Sequence, residues 1–195
     1  MATKQRLPAV ERRALIEQAA ARLFARHGYE ATTVEDVCAA AGVSKPMLYR
    51  HFQSKQDLCM RLMERRRDEL AAAPLGTFLD TRGTVEQRLQ AMIDAWFEHV
   101  AQHPDSSRLL FQDITGDAAL KELQLELRRR QRAADVAMMR EFGPPLAEEE
   151  LEPLGEIIRS SLTGLALWWL QRPEVPRTVV VSAMLRMLRG LLGER

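Results

Sequence analysis

TTVEDVCAAAGVSKPMLYRHF, residues 32–52, is the stretch on which the reading of this chain turns. Thr32 or Thr33 can cap a helix with Val34, Val37, Cys38 and Ala41 on its inner face, because a threonine hydroxyl satisfies an amide that the first turn leaves unpaired. Gly42 ends that helix, since glycine enters the left-handed conformation at little cost. Ser44 is expected to cap a second short helix with Lys45 and Pro46 in its first turn, where proline's missing N–H has no intrahelical partner. Met47, Leu48, Tyr49 and Phe52 follow, with Leu48 and Phe52 spaced for a core. Two short helices around the tight turn Ala41-Gly42-Val43-Ser44 have the sequence logic of a helix-turn-helix, whose second helix can lie in the major groove of DNA. Spacing alone leaves a plain helical hairpin open.

Working outward, a helix is expected from about Val10 to His27, with Leu15, Ile16, Ala19, Ala20, Leu23 and Phe24 on one buried face and Gly28 at its end. On the other side, Ser54 is expected to cap a helix reaching about Leu70, with Pro74 and Gly76 closing it ahead of a loop over 75–83. Helical patterns continue over about 84–102, 105–114, 117–142, 148–171 and 177–192, broken by Gly143-Pro144-Pro145 and by Pro173 and Pro176. No alternating run bounded by turns signals a strand. The expectation is therefore all-α: an N-terminal three-helix helix-turn-helix domain over 1–55, and a larger C-terminal helical domain over 56–195.

The 195 residues suffice for a substantial core, and a composition of 46% hydrophobic and 28% charged residues is that of an ordinary globular protein. The net charge of +1 hides an asymmetry: residues 1–67 hold 13 Lys and Arg against 7 Asp and Glu, whereas the remainder holds 15 against 20. A basic segment joined to an acidic one suits a nucleic-acid module attached to a domain that binds none. The basic N-terminus lacks the apolar stretch of a secretory signal, and the longest apolar run, Leu165 to Leu170, is too short to span a bilayer. Cys38 and Cys59 have no paired spacing, so two free thiols in a reducing cytoplasm are expected. The chain lacks a phosphate-binding loop, a dinucleotide fingerprint, a nucleophile elbow and a zinc-protease helix, so no enzyme is expected, and no cofactor. His99 and His103 are four apart, but spacing supplies no third ligand, so no metal is expected either. The Arg128 to Arg132 and Glu148 to Glu150 runs read as solvated helix faces.

The segments 32–37, 41–52 and Ser54-Lys55-Gln56-Asp57-Leu58 together closely resemble the DNA-binding domain of the TetR family of bacterial regulators. The match spans about residues 10–60. Cys38 departs from the family's usual alanine, and Glu35 places an acid near the DNA. The resemblance implies that Thr33, Ser44, Lys45, Pro46, Tyr49, Arg50, His51 and Lys55 stand at the DNA surface. Lys45 can donate to guanine, and Pro46 can touch a thymine methyl. Thr33, Tyr49, His51 and Lys55 are suited to phosphates, Arg50 to either, and Tyr49 also to plain packing.

The resemblance further implies a small-molecule effector, with Met92, Trp96, Phe97, Phe111, Met138 and Phe142 as the apolar residues expected to line its pocket; an ordinary filled core would use the same residues. The last two helices each carry a broad apolar stripe. Ile158, Leu162, Leu165 and Trp169 on one, with Met184, Leu188 and Leu191 on the other, are expected to pair across a two-fold axis as a four-helix bundle, the family's dimer. The expected function is a ligand-responsive regulator of transcription, a repressor released from a palindromic double-stranded DNA operator. A relative that kept the fold and lost DNA binding is the alternative that Glu35 favours.

Overall fold

Burial in this chain follows helical spacing. Ile16, Ala19, Ala20 and Phe24 are buried on α1 (Ala9–His27), as are Val37 and Cys38 on α2 (Val34–Ala41) and Leu48 on α3 (Lys45–Tyr49). In the computed structural model, residues 8–114 and 116–192 are described, and they form nine helices and no strand. The remaining six are α4 (Lys55–Asp80), α5 (Val85–Gln102), α6 (Pro104–Phe111), α7 (Ala118–Phe142), α8 (Glu148–Trp169) and α9 (Arg177–Leu192).

The chain divides into two compact units, one of residues 1–66 with 105–123, the other of 67–104 with 124–195. The division falls inside α4, whose first turns are tied into the first unit. Arg65 pairs with the buried Glu17 of α1, and Gln56 donates to both carboxylate oxygens of Asp117 at 3.0 Å. Asp117 in turn accepts the Leu120 amide at the start of α7. In the second unit α9 packs against α5 and α8.

The sixth helix stops at Phe111 rather than at 114, and the end of α4 departs furthest from expectation. Pro74 and Gly76 do not close α4, which continues to Asp80 with Pro74 inside it. A proline costs its own hydrogen bond and strains the preceding turn. Here Leu70, Pro74 and Phe78 fall four apart and are all buried, and Arg88 donates from Nε to the Phe78 carbonyl at 2.9 Å. Burial of that face offsets the local penalty, which no sequence window contains.

Candidate nucleic-acid interface

The geometry begins with the caps. Thr33 is the N-cap of α2: its hydroxyl oxygen accepts the Asp36 amide at 3.1 Å, and the Asp36 carboxylate accepts the Thr33 amide at 2.9 Å and its hydroxyl at 2.6 Å. Those bonds from Thr33 hold the Asp36 carboxyl below its ordinary pKa. Gly42 ends α2 at φ 65° and ψ 34°, in the left-handed region that only glycine adopts freely. Because this turn is tight, α3 begins three residues later, with its core contact fixed by Leu48.

Ser44 occupies the N-cap position of α3 but makes no capping bond with its side chain. The reason lies in its neighbours. Pro46, the second helical residue, has no amide, and the Met47 amide donates to the Ser44 carbonyl at 2.9 Å instead. The exposed hydroxyl stays with the outward surface.

With Leu48 inward, Lys45, Pro46, Tyr49 and Arg50 all stand exposed on one side of α3 and its C-cap. Tyr49 is 49% exposed. Phe52 is fully buried under the Arg13 guanidinium, 5.3 Å from its ring centroid, and half-buried His51 lies beside it. Met47 is half-buried, its sulfur 3.3 Å from an Arg12 guanidinium nitrogen. Lys45 forms an ion pair with Glu35 of α2, both side chains being more than half exposed (51% and 60%). The bond from Lys45 lowers the Glu35 pKa, and Glu35 raises that of Lys45, so each charge is held on.

Lys55 is placed differently from Lys45 and Arg50. Its half-buried ammonium donates to the carbonyls of Tyr29 at 2.9 Å and Thr32 at 3.0 Å, and sits 4.2 Å from the Tyr29 ring centroid. It therefore closes the α1–α2 loop, with one N–H remaining for another acceptor. Tyr29 is buried beside Asp117, and both burial and that carboxylate raise its phenol pKa.

The residues expected to line an effector pocket do not gather in one unit. Phe111 belongs to the first, on α6; Met92, Trp96, Phe97, Met138 and Phe142 belong to the second. Phe97 is fully buried and meets the edges of Trp96 and Trp169, at 5.1 and 5.7 Å between centroids. Half-buried Phe142 packs edge-on against Phe78, with the Arg88 guanidinium over both rings. Met92 and Met138 are half-buried. A cavity in the first unit is lined by Phe24, His27, Tyr29, Leu109 and Ile114 among others, none of them an expected pocket residue.

Two residues expected to pair with a second copy are already used. Met184 and Leu188 are only 2% and 6% exposed in the single chain, which leaves Ile158, Leu162, Leu165, Trp169 and Leu191 half-buried. The Trp169 indole donates to the Val175 carbonyl at 2.8 Å. Nearby Ile157, Trp168 and Val179 are more exposed than these.

A polar cluster of α4, α7 and α8 was not legible in the sequence. Arg67 pairs with Gln131, which pairs with Asp135, while Arg159 holds Glu156. Burial lowers the Arg67 pKa and raises that of Asp135. No pattern marks it, because its members are 64 residues apart where Arg67 meets Gln131.

Described residues that are all-helical, with a capped short helix, a left-handed glycine turn and a next helix that turns Lys45, Pro46 and Tyr49 outward, define a helix-turn-helix protein. The family model for bacterial regulatory proteins of the tetR family matches residues 16–62, and that for the tetracyclin repressor-like C-terminal domain matches 84–192. The chain belongs to the TetR family. It is 37% identical over 111 residues to the transcriptional activator FasR of Mycolicibacterium smegmatis, an alignment that covers 55% of this chain and 49% of FasR. It is 33% identical over 102 residues to the repressor KstR2 of Mycobacterium tuberculosis, with 52% and 50% covered. The chain thus spans about half the length of these curated relatives. Among solved structures, a TetR-like regulator from Rhodococcus superposes at a TM-score of 0.79 with 19% identity, covering 97% of this chain and all of the other. The fatty acid degradation regulator FadR of Bacillus halodurans superposes at 0.78 with 19% identity, covering 98% of this chain and 100% of FadR. No helix among the described residues is long and apolar enough to cross a membrane.

Proposed function

We propose that this chain is a ligand-responsive, DNA-binding regulator of transcription, a repressor that a small apolar effector releases from a palindromic operator. The observation that carries the reading is the division of α3 into a fully buried Leu48 and an exposed Lys45, Pro46, Tyr49 and Arg50. A helix this short needs a rigid base to present side chains to base edges, and the Thr33 cap, Gly42 turn and Lys55 clamp supply one. Lys45 and Pro46 read bases; Thr33, Ser44, Tyr49, His51 and Lys55 set register on phosphates, and Arg50 serves either purpose. Residues 1–55 carry DNA binding, and 56–195 bind the effector and pair two chains. Trp96, Phe97, Phe142, Met92 and Met138 provide the apolar surface for the effector. Two copies pair through the half-buried apolar side of α8 and α9, around Ile158, Leu162, Leu165 and Leu191, because one short recognition helix touches too few bases to select a genomic site. The chain acts in the cytoplasm and is not an enzyme.

A mobility-shift titration with random duplex DNA at low salt is the test, followed by selection of binding sites from a random pool. Binding that weakens steeply with salt, then enrichment of a two-fold symmetric site, is the expected result. No shift at low salt would overturn the proposal and favour a member that has lost DNA binding. Sedimentation at micromolar concentration tests the pairing, which a monomer would refute.

A further inference from the structure

At the end of α5, His99 and His103 stand one turn apart on the same face, their ring centroids 4.7 Å from each other. A third donor comes from α4: a carboxylate oxygen of Glu69 and one nitrogen of each imidazole all lie within 4.8 Å of one another. The three residues belong to the second unit, and all are half-buried.

We propose that Glu69, His99 and His103 form a site for one first-row divalent transition-metal ion, with zinc as its representative. Two imidazole nitrogens and one carboxylate suit such ions. Magnesium and calcium prefer all-oxygen shells, and monovalent copper prefers the sulfur donors absent from this group. Zinc bonds of about 2.0–2.2 Å put tetrahedral donors about 3.3–3.5 Å apart, so an arriving ion draws these atoms inward by about 1.5 Å at most. Side-chain torsions at half-buried positions accommodate that shift without moving a helix. The backbone beneath is fixed: the His103 amide, at the C-cap, donates to the carbonyls of His99 at 3.1 Å and Val100 at 3.3 Å. A cation here also meets the negative end of the α5 dipole. Three protein ligands leave a fourth position for water or for a donor atom of a small molecule. The site would tie α4 to α5 whether or not the chain also takes an apolar effector.

The test uses the full chain without an affinity tag, stripped with a chelator and titrated with Co2+ and then Zn2+. One equivalent of Co2+ should give visible d–d absorption that Zn2+ abolishes, and Zn2+ should raise the melting temperature. Glu69→Gln, His99→Ala and His103→Ala should each weaken binding by at least about tenfold, since loss of even an outer partner of a ligand carries that penalty. His27→Ala should leave it unchanged. Circular dichroism establishes that each variant remains helical, and the conservative Glu69→Gln decides the matter if a histidine variant does not fold. Absence of both the cobalt spectrum and the zinc-dependent melting shift would overturn the proposal. So would binding that persists undiminished in Glu69→Gln.

Discussion

Lys55→Met keeps most of the lysine's aliphatic stem and removes only its ammonium, which makes it the sharpest test of how the α1–α2 loop is held. The ammonium donates to two loop carbonyls, at 2.9 and 3.0 Å, and lies 4.2 Å from the Tyr29 ring centroid. Hydrogen bonds from a charged donor contribute about 1.5–3 kcal/mol when buried, but this side chain is half-buried and the freed carbonyls can rehydrate, so about 1 kcal/mol each is the fitting figure. The cation over the ring adds about 0.5 kcal/mol at a partly exposed site. The sum, about 2–3 kcal/mol, corresponds to a melting temperature lower by roughly 5–10 °C for a chain of this length. Differential scanning calorimetry of the two proteins at equal concentration reads it directly. DNA affinity should fall as well, since Thr33, one residue beyond the clamped Thr32 carbonyl, caps α2. A variant that melts within about 1 °C of the parent would refute the clamp. If DNA binding then lost about one unit of salt slope, Lys55 would be a plain phosphate contact.

Glu35→Gln should release Lys45 and remove an acid from the proposed DNA face. Losing that carboxylate leaves one more net positive charge at this face, equivalent to one more phosphate neutralised, which steepens the salt slope by about 0.9, so about 3.5-fold more affinity is lost between 50 and 200 mM salt; fluorescence anisotropy with an unchanged slope would contradict this. Glu17 is 1% exposed and ion-paired to Arg13 and Arg65, whose own side chains are about 40% exposed. Glu17→Ala should therefore cost about 2 kcal/mol in urea unfolding, below the ~3–5 kcal/mol of a fully buried pair because the arginines rehydrate, and an unshifted midpoint would count against it. Burial, with Asp117 nearby, pushes the Cys59 thiol up to about 12, and burial also raises Cys38. At pH 8 the Cys59 thiol should be almost wholly protonated and react with iodoacetamide only as fast as the chain opens; prompt alkylation of Cys59 would show that its burial is not maintained in solution.

What could be read in advance was local. The Thr33 cap, the Gly42 turn, the ends of α1, α5 and α7 and the start of α9 are each fixed by residues within a turn of the boundary, and a window of sequence contains them. Pro74 misleads for the complementary reason. Its penalty is local, whereas the burial of Leu70 and Phe78 that outweighs it depends on residues elsewhere in the chain. Ser44 shows the limit on a finer scale, since a favoured cap residue loses its bond when Pro46 withholds one amide and the Ser44 carbonyl takes the next. Lys55 matched a family position, yet its bonds run 23 and 26 residues back along the chain. No motif carries that information.

The second unit exposes a more general ambiguity. An apolar stripe with helical period says which side of a helix avoids water, but a neighbour in the same chain, an effector and a second copy satisfy it equally well. Met184 and Leu188 lie on such a stripe and are taken up within the chain, while Ile157 and Trp168 on α8 stay 45% and 41% exposed. The sequence pattern treats the two sets alike; only the packing of α9 against α5 and α8 separates them. Polar groups behave in the opposite way, because each needs a partner with defined geometry. Glu69 becomes a candidate ligand only when α4 brings it within 4.8 Å of the two histidines, and Glu17 a buried anchor only when Arg65 reaches it from 48 positions along the chain. Tertiary structure therefore informs most where few groups must converge. That is why the helix-turn-helix, assembled within 21 consecutive residues, was open to a reader of the sequence and these converging polar groups were not.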